Sequence, residues 1–204
     1  MIDPRRSQVS LRARKQQRAR RAIVDAALAL FAERGFDEVT VSDIAERAEV
    51  GRSTFFRYFG DKQEVLFAGD HPADLVQELA ARAPTESIGD SLPAALSYVR
   101  ALMASIVEAI TKEPDMYELH ERLVAQHPDL GARSLRKQRA YADALADQLV
   151  RHGAEHSTAI LAAEVGMACY YAGRAAAGTD GRRLPSAVDA AFARLSPPRR
   201  AGRR

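Results

Sequence analysis

Tryptophan is absent from the 204 residues, cysteine occurs once, and 7 Phe with 6 Tyr are all the aromatics. The single Cys169 cannot close an internal disulfide; it points to a reducing compartment and reads as a small buried hydrophobe. No run of about 18 apolar residues occurs, which argues against a membrane span. The basic start followed by an apolar stretch imitates a secretory leader. Asp25 interrupts it, and Glu33 and Arg34 follow with no small-residue cleavage site, so no leader is read and a cytoplasmic location is expected. No segment alternates with β-branched residues in the manner of a strand. A nucleophile elbow, a Gly-rich phosphate loop, an H-E-x-x-H pair and a Cys cluster are all missing, so no enzyme is expected. His152 and His156 flank Glu155, but Gly153 breaks the helix between them, so neither a metal nor any other cofactor is expected.

What is present is helical sequence with polarised charge. Apolar residues make up 47% and charged residues 28%, ordinary values for a globular chain. The net charge of +3 conceals a basic N-terminus, Arg5, Arg6, Arg12, Arg14, Lys15, Arg18, Arg20 and Arg21 against Asp3 alone, and a basic tail with Arg199, Arg200, Arg203 and Arg204. The body between them is acidic. Such an arrangement fits a polyanion-binding end on a different kind of body, or a solvated charged tail. Apolar residues at helical spacing (Ile23, Ala26, Ala27, Leu30, Phe31) predict a helix over about 17–34, stopped by Gly35. Thr40 with Asp43 predicts a capping box opening a helix over 41–48, and Asp61 with Glu64 another start. Pro72 is expected to kink or split the helix that follows. Further helices are predicted near 92–112, 115–126, 129–152, 157–177 and 186–195. The fold class is all-α. The expected domains are a flexible basic arm (1–20), a compact helical unit (21–67), a larger helical unit (68–196) and a disordered basic tail (197–204).

The stretch GRSTFFRYFGDK, residues 51–62, puts four of the few aromatics within five positions. On a helical wheel Phe55 and Phe59 fall on one side and Ser53 and Arg57 opposite, with Thr54 and Phe56 flanking the outer face and Tyr58 lateral. The inner pair predicts packing. The outer face of hydroxyl, guanidinium and aromatic groups can hydrogen-bond phosphates, contact a thymine methyl and reach guanine. Preceded by the 41–48 helix and a tight turn, this is a helix-turn-helix, with Ile44, Ala45, Val50 and Phe55 as its packing positions.

The stretch AIVDAALALFAERGFDEVTVSDIAERAEVGRSTFFRYFGDKQEVL resembles the N-terminal domain of the TetR family of bacterial transcriptional regulators. The resemblance implies an N-terminal three-helix DNA-binding domain joined to a larger helical domain that binds a small molecule and dimerises. It implies DNA contacts from Thr40, Arg52, Ser53, Thr54, Phe56, Arg57, Tyr58 and Lys62, with Arg14 and Arg18 of the arm adding charge. The partners it implies are a near-palindromic double-stranded operator, a small-molecule effector and a second copy of the chain, with no membrane. Three departures stand out. Glu49 occupies a position where the family usually has Gly, so the turn either avoids the left-handed region or carries about 1–2 kcal/mol of strain. Phe56 replaces a common Tyr, and Gly51 a usual Ser cap. Residues 22–66 hold five basic and nine acidic groups, so the arm is expected to supply much of any DNA affinity.

The larger half is less specific. Tyr98, Leu102, Met116, Leu123, Tyr141, Met167 and Tyr170, with Met103, Tyr117 and Leu145, suit an adaptable apolar cavity, though plain bundle core accounts for each of them singly. In DMYELHERL the groups Glu118, His120, Glu121 and Arg122 are read as a solvated helix face in preference to a polar subsite. Gly166, Ala172 and Gly173 permit close helix approach, and with 186–195 they resemble the family's dimerising helix pair. The functional expectation is a sequence-specific, homodimeric, ligand-responsive repressor. A protein-interaction module that kept the helix-turn-helix shape without DNA binding is the alternative, favoured by Glu49 and the acidic 22–66 segment.

Overall fold

The computed structural model describes residues 4–68, 72–82 and 87–195, with side chains from residue 14 onward. The basic tail expected at 197–204 lies outside these residues. The described residues form ten helices and no strand, in two units, Met1–Gly69 and Asp70–Arg204.

The first unit contains α1 (Pro4–Arg34), α2 (Val41–Arg47), α3 (Arg52–Tyr58) and α4 (Lys62–Leu66). Its core is Ile23, Ala27, Leu30 and Phe31 of α1 against Phe36, Val39, Ile44, Ala45, Phe55, Phe59 and Val65. The helix expected from about residue 17 starts at Pro4 instead, so the expected flexible arm is a helical extension. The physical reason is in the composition: residues 5–34 contain neither Gly nor Pro and are rich in Arg, Ala, Leu and Gln, all good helix formers.

The second unit contains α5 (Pro72–Ala80), α6 (Leu92–Ile110), α7 (Pro114–Gln126), α8 (Pro128–Arg151), α9 (His156–Ala177) and α10 (Leu184–Ala193). Proline stands in the first turn of α6, α7, α8 and α10, where its missing N–H is harmless and its fixed φ suits the helix. Pro72 starts a separate helix, α5, as the split reading expected. By length and hydropathy alone α6 could cross a membrane; in this fold it buries Ala95, Val99, Leu102, Met103, Ile106 and Val107 in the core. Helix α9 packs between α6, α8 and α10. A Cβ at Gly173 would stand 2.7 Å from the Val188 backbone, and one at Gly166 would strike Val99. Both glycines therefore serve the close helix approach expected of them, inside the chain, against α10 and α6. Ala172 alone of that trio is exposed.

Candidate nucleic-acid interface

The geometry of α2 and α3 follows from their caps. Thr40 N–H donates to the Asp43 carboxylate at 2.8 Å, and Asp43 N–H to the Thr40 hydroxyl at 3.2 Å, closing the predicted box. The Thr40 hydroxyl also donates to Asp43. These bonds hold the Asp43 carboxyl down at about 2. They also engage both donors of Thr40 in the box.

Helix α2 ends in a Schellman motif. Glu49 N–H donates to Glu46 C=O at 3.0 Å and Val50 N–H to Ala45 C=O at 2.9 Å. The motif needs a left-handed residue at position 49, and Glu49 takes φ +54°, the only non-glycine positive φ among the described residues. Of the two turns the sequence allowed, the strained one is formed. Helix α3 then seats Phe55 (0% exposed) and Phe59 (2%) in the core while Phe56 stays 50% exposed. Phe56 is braced edge-on by Phe55, with ring centroids 5.5 Å apart. Arg52, Ser53 and Arg57 are exposed, and Thr54 and Tyr58 half-buried. The wheel reading of residues 53–59 matches this disposition.

Electrostatics separates the cations of this unit into two groups. Lys62 donates to the carbonyls of Phe36 (2.7 Å), Val39 (2.9 Å) and Asp37 (3.2 Å) and lies 4.5 Å from the Phe36 ring centroid. An ammonium has three protons, so in this structure Lys62 clamps the α1–α2 loop. Arg47 makes a two-pronged pair with Glu33, and Arg34 pairs with Asp43 at 3.2 Å. Arg20 bonds the Ala68 carbonyl and lies 5.5 Å from the Phe59 ring centroid. Among the described residues, Arg52 and Arg57 on α3 and Arg14, Lys15 and Arg18 on the α1 extension have no such partner. Arg14 and Arg18, four apart, share a helix face. Arg14 lies six residues, about 9 Å of helix, beyond Arg20, so the unpaired cations of α1 begin near the C-terminal end of α3. This division was invisible in the sequence because the partners of Arg20, Arg47 and Lys62 lie 14 to 48 residues away along the chain.

In the second unit, five of the residues proposed to line a cavity come together. Leu102 and Met167 lie in the core cluster, and Tyr98, Tyr141 and Tyr170 pack against it. The Tyr98 ring meets His152 at 4.8 Å, and its hydroxyl accepts from Gln148 at 3.4 Å. Leu123 is buried on α7 outside that cluster, and Met116 is half-buried. Of the face read as solvated, Glu118 and Arg122 are exposed and His120 half-buried, but Glu121 is buried and bonded by Arg174 of α9. Burial pushes its carboxyl up, but the His120 hydrogen bond and the Arg174 guanidinium outweigh burial and hold it below the usual range. The pairing escaped the sequence reading because Arg174 lies 53 residues away.

Residues 23–68 match the profile of bacterial regulatory proteins of the tetR family. The transcriptional regulator TcmR of Streptomyces glaucescens is 34% identical over 131 residues, 62% of this chain and 57% of TcmR; the chain thus spans little more than half the length of that relative. FadR of Thermus thermophilus, a tetR-family repressor solved with lauroyl-CoA, superposes with a TM-score of 0.52 at 25% identity, covering 90% of this chain and 100% of FadR. SmeT of Stenotrophomonas maltophilia, solved with triclosan, gives a TM-score of 0.57 at 20% identity, covering 91% of this chain and 98% of SmeT, a likeness of fold.

Proposed function

We propose that this member of the tetR family of bacterial regulatory proteins is a cytoplasmic homodimeric repressor, binding a near-palindromic operator with an affinity that a small-molecule effector changes. The observation that carries the reading is the outer face of α3. Arg52 and Arg57 stand there unpaired beside exposed Phe56, while the other cations of the helix-turn-helix are engaged. Arginine reads guanine in the major groove and an aromatic ring packs on a thymine methyl; Arg14, Lys15 and Arg18 supply phosphate-directed charge on the α1 extension.

Support for the dimer comes from α9, whose outer face exposes Ile160, Leu161 and Tyr171 along with Ala168 and Ala172. A two-fold dimer that reads both halves of a near-palindrome needs its two α3 helices about one DNA turn, roughly 34 Å, apart. The ligands held by FadR and SmeT support an effector role for the second unit. An effector acts only by favouring one conformation of the dimer over another.

Selection of sites from random duplex DNA, followed by a salt titration on the winner, tests the reading. A near-palindromic site bound at nanomolar level and weakened tenfold or more in Arg57→Ala, about 1–3 kcal/mol, is expected. Light scattering at micromolar concentration should give a dimer. The excess of nine acidic over five basic groups in residues 22–66 favours the second reading, an interaction module without specific DNA binding. No enriched site, with only weak salt-labile binding, would select it.

A further inference from the structure

We propose that the interior of the second unit contains a subsite for a neutral hydrogen-bond acceptor, such as a ketone carbonyl on an aromatic body, built from Tyr117, Tyr170 and the Glu121–Arg174 pair. The proposal deepens, and rests on, the reading of this unit as an effector domain. Tyr117 is 6% exposed, and no group among the described residues accepts a hydrogen bond from its Oη; the neighbouring Arg174 guanidinium, which draws the phenol's pKa down, can only donate, so the hydroxyl proton is left without an acceptor. Buried polar groups are almost always paired, and phenylalanine would fill the same volume without leaving a donor unmet. The ring is not free to turn the hydroxyl elsewhere. Gly181 lies against it, where a Cβ would stand 3.0 Å from Cδ1 of Tyr117 and 3.3 Å from Pro114 Cα.

The surroundings specify the chemistry. Glu121 follows Tyr117 by four residues on α7, on the same helix face. One of its carboxylate oxygens accepts from Arg174 Nε and the other faces His120 Nδ1 at 3.3 Å. Carboxylate and guanidinium cancel, so neither an anion nor a cation brought here finds an uncompensated opposite charge. Burial raises the Tyr117 phenol far above its usual value and pushes Tyr170 up to about 12, so both stay protonated donors at physiological pH. A ligand that places a carbonyl at Tyr117 Oη meets a waiting donor. Its body would lie against Tyr141, Met167 and Tyr170, which belong to or pack on one apolar cluster.

The test uses the full chain and three probes of one shape: 2-acetylnaphthalene, 2-isopropenylnaphthalene, in which C=CH2 replaces C=O, and 2-naphthoate. Isothermal titration should show the ketone bound roughly five- to tenfold more tightly than the alkene, the range of one neutral hydrogen bond, and more tightly than the carboxylate. In Tyr117→Phe the ketone preference should vanish, while the ligand-free melting temperature stays level or rises. Equal binding of ketone and alkene to the natural chain overturns the proposal without recourse to any variant, and so does a melting temperature that falls in Tyr117→Phe. Operator affinity measured with the ketone present separates the two levels. Binding with the carbonyl preference but no change in operator affinity would keep the subsite and remove the effector reading. Operator release by the ketone that persists unchanged in Tyr117→Phe would keep the effector reading and remove the subsite.

Discussion

Two arginine–glutamate pairs, one in each unit, have the same chemistry and opposite settings. Arg47 and Glu33 meet at the surface of the first unit, with side chains 42% and 50% exposed. Arg174 and Glu121 meet inside the second, at 25% and 8%. At the surface the pair is worth little to stability, but it engages Arg47 and leaves Arg52 and Arg57 as the cations of the helix-turn-helix without such a partner among the described residues. In the interior the pair permits two charges to be buried at all, and it creates a neutral polar island beside a phenol whose proton is left without an acceptor. The first unit displays its chemistry outward and the second encloses it.

The largest expected effect sharpens this contrast. Glu121→Ala leaves Arg174 buried without its carboxylate and should destabilise the second unit by about 3 kcal/mol, read as a lowered urea midpoint by circular dichroism. Glu33→Ala should barely move that midpoint while freeing Arg47 and strengthening non-specific DNA binding. Equal losses in the two variants would break the comparison.

Next comes the charge of the α1 extension. Deleting residues 1–18 removes six basic groups. Operator binding should weaken by tenfold or more and its log–log salt slope flatten, by about 0.9 for each phosphate that is no longer neutralised. An unchanged slope would assign the affinity to α3 alone. A smaller effect is expected at the turn: Glu49→Gly relieves the left-handed strain at φ +54°, gives part of it back as backbone entropy, and should stabilise the first unit by about 0.5–1 kcal/mol. Removing the carboxylate should also raise affinity for any DNA. A Glu49→Gly variant less stable than the parent would mean that the carboxylate holds the turn in some other way.

The smallest effects are those of pH. Both Glu121 and Asp43 have folded-state values below their unfolded ones of 4.5 and 3.8. Each therefore contributes stability that is complete above the unfolded value and disappears as pH falls through the folded one. Glu121→Gln should differ from the parent above about pH 5 and converge on it in acid, measured by melting temperature. The Asp43 carboxyl, followed by NMR, should titrate near 2; a midpoint at its unfolded value would mean the capping box is open in solution.

How much was legible in advance differed between the units for the same reason. The helix-turn-helix rests on interactions a few residues apart: caps at Thr40–Asp43 and Asp61–Glu64, a wheel with Phe55 and Phe59 inside, a stop at Gly35. Local spacing records all of these. Only the partners that arrive from far along the chain were hidden: the carbonyls bound by Lys62 lie 23 to 26 residues away, and Glu33, the partner of Arg47, 14 away. In the second unit nearly everything polar depends on distant partners. Glu121 on a charged helix looked like a solvated face until α9 brought Arg174 to it, and which helices Gly166 and Gly173 let approach was decided only when α6 and α10 were packed on them.

By itself, then, the sequence determined the all-α class, the helix limits set by proline and glycine, the caps, and which side of α3 faces outward, because each depends on backbone preference and short-range periodicity. The tertiary structure decided which charges are paired, that Glu49 takes the left-handed turn, and that a tyrosine hydroxyl is buried in the second unit beside the Glu121–Arg174 pair. Those are properties of what surrounds a group, and the surroundings come from residues that the chain brings together only on folding.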